Sequence, residues 1–350
     1  MGNRLLWLDT LRAIGIFFVV LVHTGRVHDS FILIYIKSFF IPLFFFISGL
    51  FAKESFYNDS FINILKKLGK RLLIPYIFFG LVSYFFWLLL LRHFKDQPFD
   101  PFKSLLGLLY GSGSGNWLSY NIALWFFTCL FMVQIIFYFL IRASHQKSNR
   151  VFFPFFLFCL SALGYVVTTY ITSPSSRLPW SLDIALTATV FYGVGYLLQP
   201  YILTNLFVKW RWAAIFTFLI LSILFTTINT TVEFYVGVYG NYLYFYIAAF
   251  SGILFWTHLA YLIRPNRLFS AVGQNTLVIF STHLLVIPCL TGFLIYILGI
   301  QEKTLGSGVF IGFGYTISSI LIILPISRLM HHYAPLLVGK STMRVKKCTS

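Results

Sequence analysis

Leu72-Leu-Ile-Pro-Tyr-Ile-Phe-Phe-Gly-Leu-Val-Ser-Tyr-Phe-Phe-Trp-Leu-Leu-Leu-Leu91 runs for twenty residues without an acid, a base or an amide. A helix of about 20 residues rises ~30 Å, the thickness of a bilayer's hydrocarbon core, and satisfies its own backbone hydrogen bonds where lipid offers none. Ile122 to Ile141 is a second such run, and others recur to the end of the chain. The composition agrees: 59% of the residues are hydrophobic, 10% are charged, and 42 of the 350 are Phe. A β-barrel would alternate apolar and polar residues in segments of about 10, a pattern these continuous runs exclude. The expected fold is therefore all-α, a polytopic integral membrane protein of about ten transmembrane helices.

The runs fall at about 10–28, 31–52, 72–92, 122–141, 151–170, 182–201, 212–228, 242–263, 272–298 and 308–329. They form one domain over residues 1–350, with a basic cytoplasmic tail over 330–350. With the N-terminus inside, eighteen of the 26 Lys and Arg lie in inner segments, seven in outer segments, and Arg12 within a span. The excess of inner positive charge predicts ten spans with both termini cytoplasmic. The net charge of +17 is thereby a matter of topology; no basic stripe or soluble domain presents it to nucleic acid. His331-His332 and Lys340 to Lys347 are expected at the inner surface, near anionic lipid. The first run keeps Arg12 in its interior and lacks a small-residue cleavage site, so it reads as a retained span and not as a signal peptide. Cys129, Cys159, Cys289 and Cys348 form no CxxC pair and read as packing residues. The longest outer loop, His93 to Asn121, carries Gly111-Ser-Gly-Ser-Gly-Asn-Trp-Leu118 and reads as a flexible, turn-rich piece. It lacks any phosphate-loop pattern. The remaining loops are too short to hold a soluble domain, so any chemistry belongs in or at the membrane.

The first run reads Thr10-Leu-Arg-Ala-Ile-Gly-Ile-Phe-Phe-Val-Val-Leu-Val-His-Thr24. Eleven helical steps separate Arg12 from His23, three turns plus ~20°, which puts both on one stripe ~16 Å apart. Ionisable groups at membrane depth are costly unless they face a protein interior or a polar cavity, which makes each a candidate functional residue. Asp9, at i−3, is placed to pair with Arg12. The arginine fork suits an oxyanion and the imidazole suits proton transfer. The structural alternatives are a snorkelling arginine and a hydrogen-bonded core histidine. Arg71, in Lys70-Arg-Leu-Leu-Ile-Pro-Tyr76, could join Arg12 at the inner mouth or serve as a topological anchor. Ser48-Gly49 interrupts bulky aromatics and permits close helix approach. His283 is a second intramembrane histidine, accompanied by Asn275, Ser281 and Thr282. Glu233 is open to a polar substrate or to solvent, and His258 reads as structural. No HExxH or Cys-rich spacing supports a metal site.

These residues resemble the membrane acyltransferase family 3, in particular the branch of fucose 4-O-acetylases and surface-polysaccharide O-acetyltransferases. The resemblance is carried by Leu8 to His23 with its Arg-x10-His spacing, Phe44-Phe-Phe-Ile-Ser-Gly-Leu-Phe51, Arg71-Leu-Leu-Ile-Pro75, Ala123-Leu-Trp-Phe-Phe127 and Gly273-Gln-Asn-Thr-Leu277 leading to His283. Phe40 stands where members of this branch often carry a histidine. Some members also append an extracytoplasmic esterase-like domain, without which this chain is expected to act.

The resemblance implies a multi-pass enzyme of the bacterial inner-membrane type. It would move an acyl group, acetyl in the first instance, from cytoplasmic acetyl-CoA to a sugar hydroxyl of a lipid-linked or polymeric surface glycan. Acetyl-CoA is a co-substrate, and no tightly bound cofactor is expected. His23 would act as general base or as transient acyl carrier, with Arg12, oriented by Asp9, on the donor. Arg71, Ser48, Trp125, His283 and Asn275 would line the binding site. The rival reading, a glycan or small-solute transporter, lacks the internal repeat that many such carriers show.

Overall fold

The computed structural model describes residues 5–28, 30–53, 58–94, 99–145, 152–203, 208–229, 232–263 and 266–339. Cys348 and the Lys340 to Lys347 tail lie outside these residues. Twelve helices of eight residues or more follow one another: α1 (Leu6–His23), α2 (Phe31–Leu50), α3 (Phe61–His93), α4 (Pro101–Tyr110), α5 (Trp125–His145), α6 (Phe152–Ile171), α7 (Leu182–Leu203), α8 (Arg211–Asn229), α9 (Tyr242–Leu262), α10 (Arg267–Gln274), α11 (Thr276–Ile297) and α12 (Val309–Tyr333). All except α4 and α10 are long and apolar enough to cross a bilayer, which makes ten. The expected all-helical membrane architecture is the one observed.

Two helix limits differ from the hydropathy runs for local reasons. The helix α1 stops at His23, where the Thr24 hydroxyl donates to the Leu21 carbonyl (2.7 Å) and Gly25 turns the chain with φ +65°. It had been expected to run to residue 28, and His23 is instead its last residue. The helix α3 begins at Phe61, well before the apolar run. Its first turns are amphipathic, burying Ile64 and Leu68 while Lys66 and Lys67 face outward. Lys67 reaches back 2.6 Å to Asp59. That ammonium, with the Asn63 amide, lowers the Asp59 carboxyl to about 2.

At the centre of the bundle α1 and α2 pack side by side. The helices α9, α10, α11 and α12 lie against α1, and α7, α8 and α9 against α2. The contact between α2 and α7 is backbone on backbone. A Cβ on Gly49 would lie 1.9 Å from the Tyr192 carbonyl oxygen, and one on Gly195 would lie 2.3 Å from the Phe46 carbonyl oxygen. The small residue in Ser48-Gly49 thus serves close helix approach, the main source of helix association where lipid is as apolar as the side chains. Gly49→Ala should gain ~1 kcal/mol of helix propensity but lose about 1–3 kcal/mol to overpacking against a main chain that cannot swing aside. We expect net loss of thermal stability in detergent, with Gly69→Ala, whose Cβ meets nothing within 4 Å, as the contrasting stabilised control. Towards the lipid, α6 and α8 carry exposed Phe155, Phe158, Phe216 and Ile220.

The segment expected to be a flexible outer loop is packed. Asp100 caps α4, its side chain accepting from the Phe102 amide (2.9 Å). The Gly-Ser stretch that follows then turns into the bundle, burying Ser112, Ser114, Leu118 and Asn121. Tyr110 and Trp117 stack at 4.3 Å, and the Trp117 carbonyl lies where a Gly107 Cβ would stand, 1.8 Å away. Glycine and serine suit this fold-back because they let main chain approach main chain.

Arg177, expected among the outer cations, is 2% exposed. Its guanidinium donates to the carbonyls of Thr168 (3.2 Å) and Val236, to the Thr172 hydroxyl, and to Asp183 at 3.4 Å. It ties the end of α6, the start of α7 and the 233–238 turn into one cap at the end of the bundle where α1 finishes. Of the cysteines, Cys129 is buried as a packing residue would be, while Cys159 and Cys289 are exposed on the apolar surface.

Candidate active site

The stripe on α1 is helical throughout, so Arg12 and His23 share one face as the spacing predicts. At its first end, an Arg12 Nη1 lies 3.8 Å from the Asp9 carboxylate. The guanidinium also sits over the Phe51 ring, 4.5 Å from its centroid, a favourable placement for a cation on an aromatic face. Asp9 itself is buried because α10 presses on it: a Cβ on Gly273 would lie 2.1 Å from the Asp9 carbonyl oxygen.

At the other end of the stripe, His23 meets His283 of α11, their ring centroids 4.9 Å apart and the planes inclined by 59°. His23 Nδ1 bonds the Val19 carbonyl (2.7 Å) and His283 Nδ1 bonds the Ile279 carbonyl (3.1 Å). A carbonyl can only accept, so each neutral ring carries its proton on Nδ1 and its lone pair on Nε2. His283 is fully buried, and its Nε2 has no hydrogen-bond partner among the described residues. Nearby, Asn121 donates its amide to the Ser281 carbonyl (2.8 Å) and the Ser83 hydroxyl (2.9 Å). Its own Oδ1 and the Tyr120 hydroxyl are likewise buried without partners among the described residues. Asn121 is a site residue that the sequence did not suggest. The only signal for it was an amide lying immediately before an apolar run.

Between the two ends the lining is aromatic. A Cβ on Gly15 would touch the Phe44 ring at 3.0 Å. Ser48 donates to the Phe44 carbonyl (2.8 Å) and lies one turn from Phe51, the ring under Arg12. From Phe44 the rings continue through Phe126 (6.1 Å) and Phe280 (5.2 Å) to His283 (6.1 Å). Arg12, Phe44, Ser48 and His23 are each only half-buried.

The remaining candidates fall elsewhere. Trp125 is buried under the re-entrant loop, 3.1 Å from where a Gly113 Cβ would be, and its rings meet Phe126 and Phe234. It supports the wall behind Phe126. Arg71 is exposed at the end where α1 begins, its carbonyl 2.8 Å from where a Gly339 Cβ would stand. Asn275 is a strut: its amide donates to the Ala271 carbonyl (2.6 Å) and its Oδ1 accepts from the Ser327 hydroxyl (2.6 Å). Glu233 is paired with Lys37. His258 is buried and stacks on Phe218 at 6.0 Å, as a structural histidine would. Among the described residues no three His, Cys, Asp or Glu are grouped to hold a metal ion.

Ten long apolar helices define a multi-pass membrane protein, and His23 and His283 meet within the bundle. The sequence model of an acyltransferase domain matches residues 5–328, nearly the whole described chain. The protein belongs to the membrane acyltransferase family 3 and is a membrane acyltransferase. No curated protein and no solved structure matches it.

Proposed function

We propose that this chain transfers an acetyl group from acetyl-CoA, bound at the end where α1 begins, to a hydroxyl of a surface glycan received at the end where α1 finishes. The excess of positive charge at the first of these ends supports a cytoplasmic side for it, where the donor is made. The observation that carries the reading is the histidine pair: two imidazoles in contact, both with Nδ1 spent on backbone carbonyls and so with Nε2 lone pairs, of which His23 shares its stripe on α1 with the paired Arg12.

In the proposed step the acceptor O–H loses its proton to His23 Nε2 while its oxygen attacks the thioester carbonyl. The C–S bond breaks, and the leaving thiolate takes up the proton as free CoA. His283 Nε2 and Asn121 Oδ1 supply acceptors that the sugar's other hydroxyls can satisfy. Arg12 faces the donor, and Asp9 and Phe51 hold its fork in place before the reaction. The aromatic wall from Phe44 to Phe280 suits the uncharged arm and acyl group of the donor. The branch of glycan O-acetylases and the inner-membrane location belong to the same proposal.

Arg12→Gln should raise the KM for acetyl-CoA by about 10- to 100-fold, as expected when one charge-assisted hydrogen bond to the donor, worth about 1.5–3 kcal/mol, is removed. Radiolabel transfer in membranes measures this, with protein level and helix content unchanged. The reading as a whole is tested by mass spectrometry of surface glycan from cells with and without the chain. One additional acetyl group per repeat in its presence supports it; identical glycans overturn it.

A further inference from the structure

At the end of the bundle where α1 begins, a cavity of about 450 Å³ opens between α10 and α12, lined by Arg267, Ser270, Gln274, Asn275, Arg328 and His331. We infer that it is a phosphate site, in which Arg267 and Arg328 take the phosphate groups of the nucleotide end of the acyl donor.

Two cations on different helices point into one space. Both are exposed at the mouth of this open cavity, so an anion entering it meets two positive charges. Among the described residues no salt bridge engages either arginine. Asp9, whose backbone α10 touches at Gly273, faces Arg12. Guanidinium forks match phosphate oxygens bidentately, and the Ser270 hydroxyl adds a neutral donor. The cavity volume falls in the range of ordinary ligand pockets.

The pocket is also built. Asn275 fastens the α10–α11 junction to α12 through Ser327, the residue before Arg328. Without that strut the two guanidiniums would sit on independently moving ends. The pocket connects to the candidate active site through α10, whose Gly273 rests on the Asp9 backbone one turn from Arg12. A phosphate anchored in the cavity therefore directs the rest of the donor towards Arg12 and the aromatic wall. That division leaves Arg12 for the amide carbonyls of the donor's pantetheine arm. A lipid headgroup offers the same phosphate chemistry but has no thioester arm to lead inward.

This inference rests on the acyl-CoA reading, so its test separates the two. Affinity for CoA and for pantetheine, which lacks the nucleotide, is measured by calorimetry on the full chain in nanodiscs of zwitterionic lipid. The expected result is that Arg267→Gln/Arg328→Gln weakens CoA binding at least tenfold and removes the preference for CoA over pantetheine. The Lys/Lys variant, which keeps charge but loses the fork, should fall between the double glutamine variant and the wild type. Unchanged CoA affinity in a double glutamine variant with native helix content overturns the inference. So does a loss that appears only in nanodiscs of anionic lipid, which would mark a headgroup site. If the wild type binds pyrophosphate through these arginines but not CoA, the donor assignment falls. If it binds CoA in this way but transfers no acetyl group, the phosphate site stands and the proposed reaction falls.

Discussion

His23→Ala lowers acyl transfer by roughly 10²- to 10⁴-fold, the contribution typical of a positioned general base, while leaving the bundle folded. The folding half of this expectation follows from where His23 sits. It is the last residue of α1, half-buried, and its one protein hydrogen bond is to Val19 in its own helix. The turn after it is held by Thr24 and Gly25, which the substitution leaves in place. The activity half follows from chemistry. Alanine removes the Nε2 lone pair, and among the described residues no carboxylate forms an ion pair with His23 or His283 to take its place. His283→Ala should cost less than His23→Ala if His283 binds the acceptor and does not take its proton, and its loss should fall chiefly on the KM for glycan. Label transfer at saturating acetyl-CoA, with the acceptor varied, separates the two histidines. Equal losses in kcat from both would make the pair a single proton relay.

The second large effect is on stability. Arg177→Met should destabilise the protein by roughly 3–5 kcal/mol, the cost of leaving a buried charge without its partner. Asp183 is fully buried, and its Oδ1 already lacks a hydrogen-bond partner among the described residues. With the guanidinium gone, Thr168 and Val236 also lose a donor to their carbonyls. Arg177→Met/Asp183→Leu should recover most of the loss, because buried ion pairs replaced by apolar residues of similar size are often neutral. Thermal unfolding in detergent measures both. If the double variant is no more stable than the single one, the bonds from Arg177 to the two carbonyls, and not the ion pair, hold the cap together.

The ten spans were legible because lipid imposes a local requirement: a segment must be apolar over its whole length, and Leu72–Leu91 or Ile122–Ile141 meets it without reference to any other part of the chain. The shared face of Arg12 and His23 was legible for a similar reason, since helical periodicity alone places them. What joins distant segments was not. Nothing near His283 marks His23 as its neighbour, 260 residues earlier. Gly111 to Leu118 has the composition of a solvated turn, yet Gly111 to Ser114 and Leu118 are buried, because glycine and serine serve a tight turn and a close main-chain approach equally well. Arg177, Arg267 and Arg328 each had a sufficient explanation as topological charges. Only their surroundings distinguish a buried strap from a cavity lining. The helix limits at His23 and Phe61 are not legible in hydropathy, which does not register the Thr24 and Gly25 stop or an amphipathic first turn.

Direct attack requires that the donor's arm, entering at the Arg12 end of the α1 stripe, bring its thioester to the alcohol received at the His23 end. Purified chain in sealed vesicles, with radiolabelled acetyl-CoA on the side of Arg12 and glycan acceptor enclosed on the side of His23, tests this directly. The prediction is label on the enclosed glycan with the wild-type chain and background label with His23→Ala. Equal labelling by the two, or label that reaches glycan only when both reactants share one side, would contradict it.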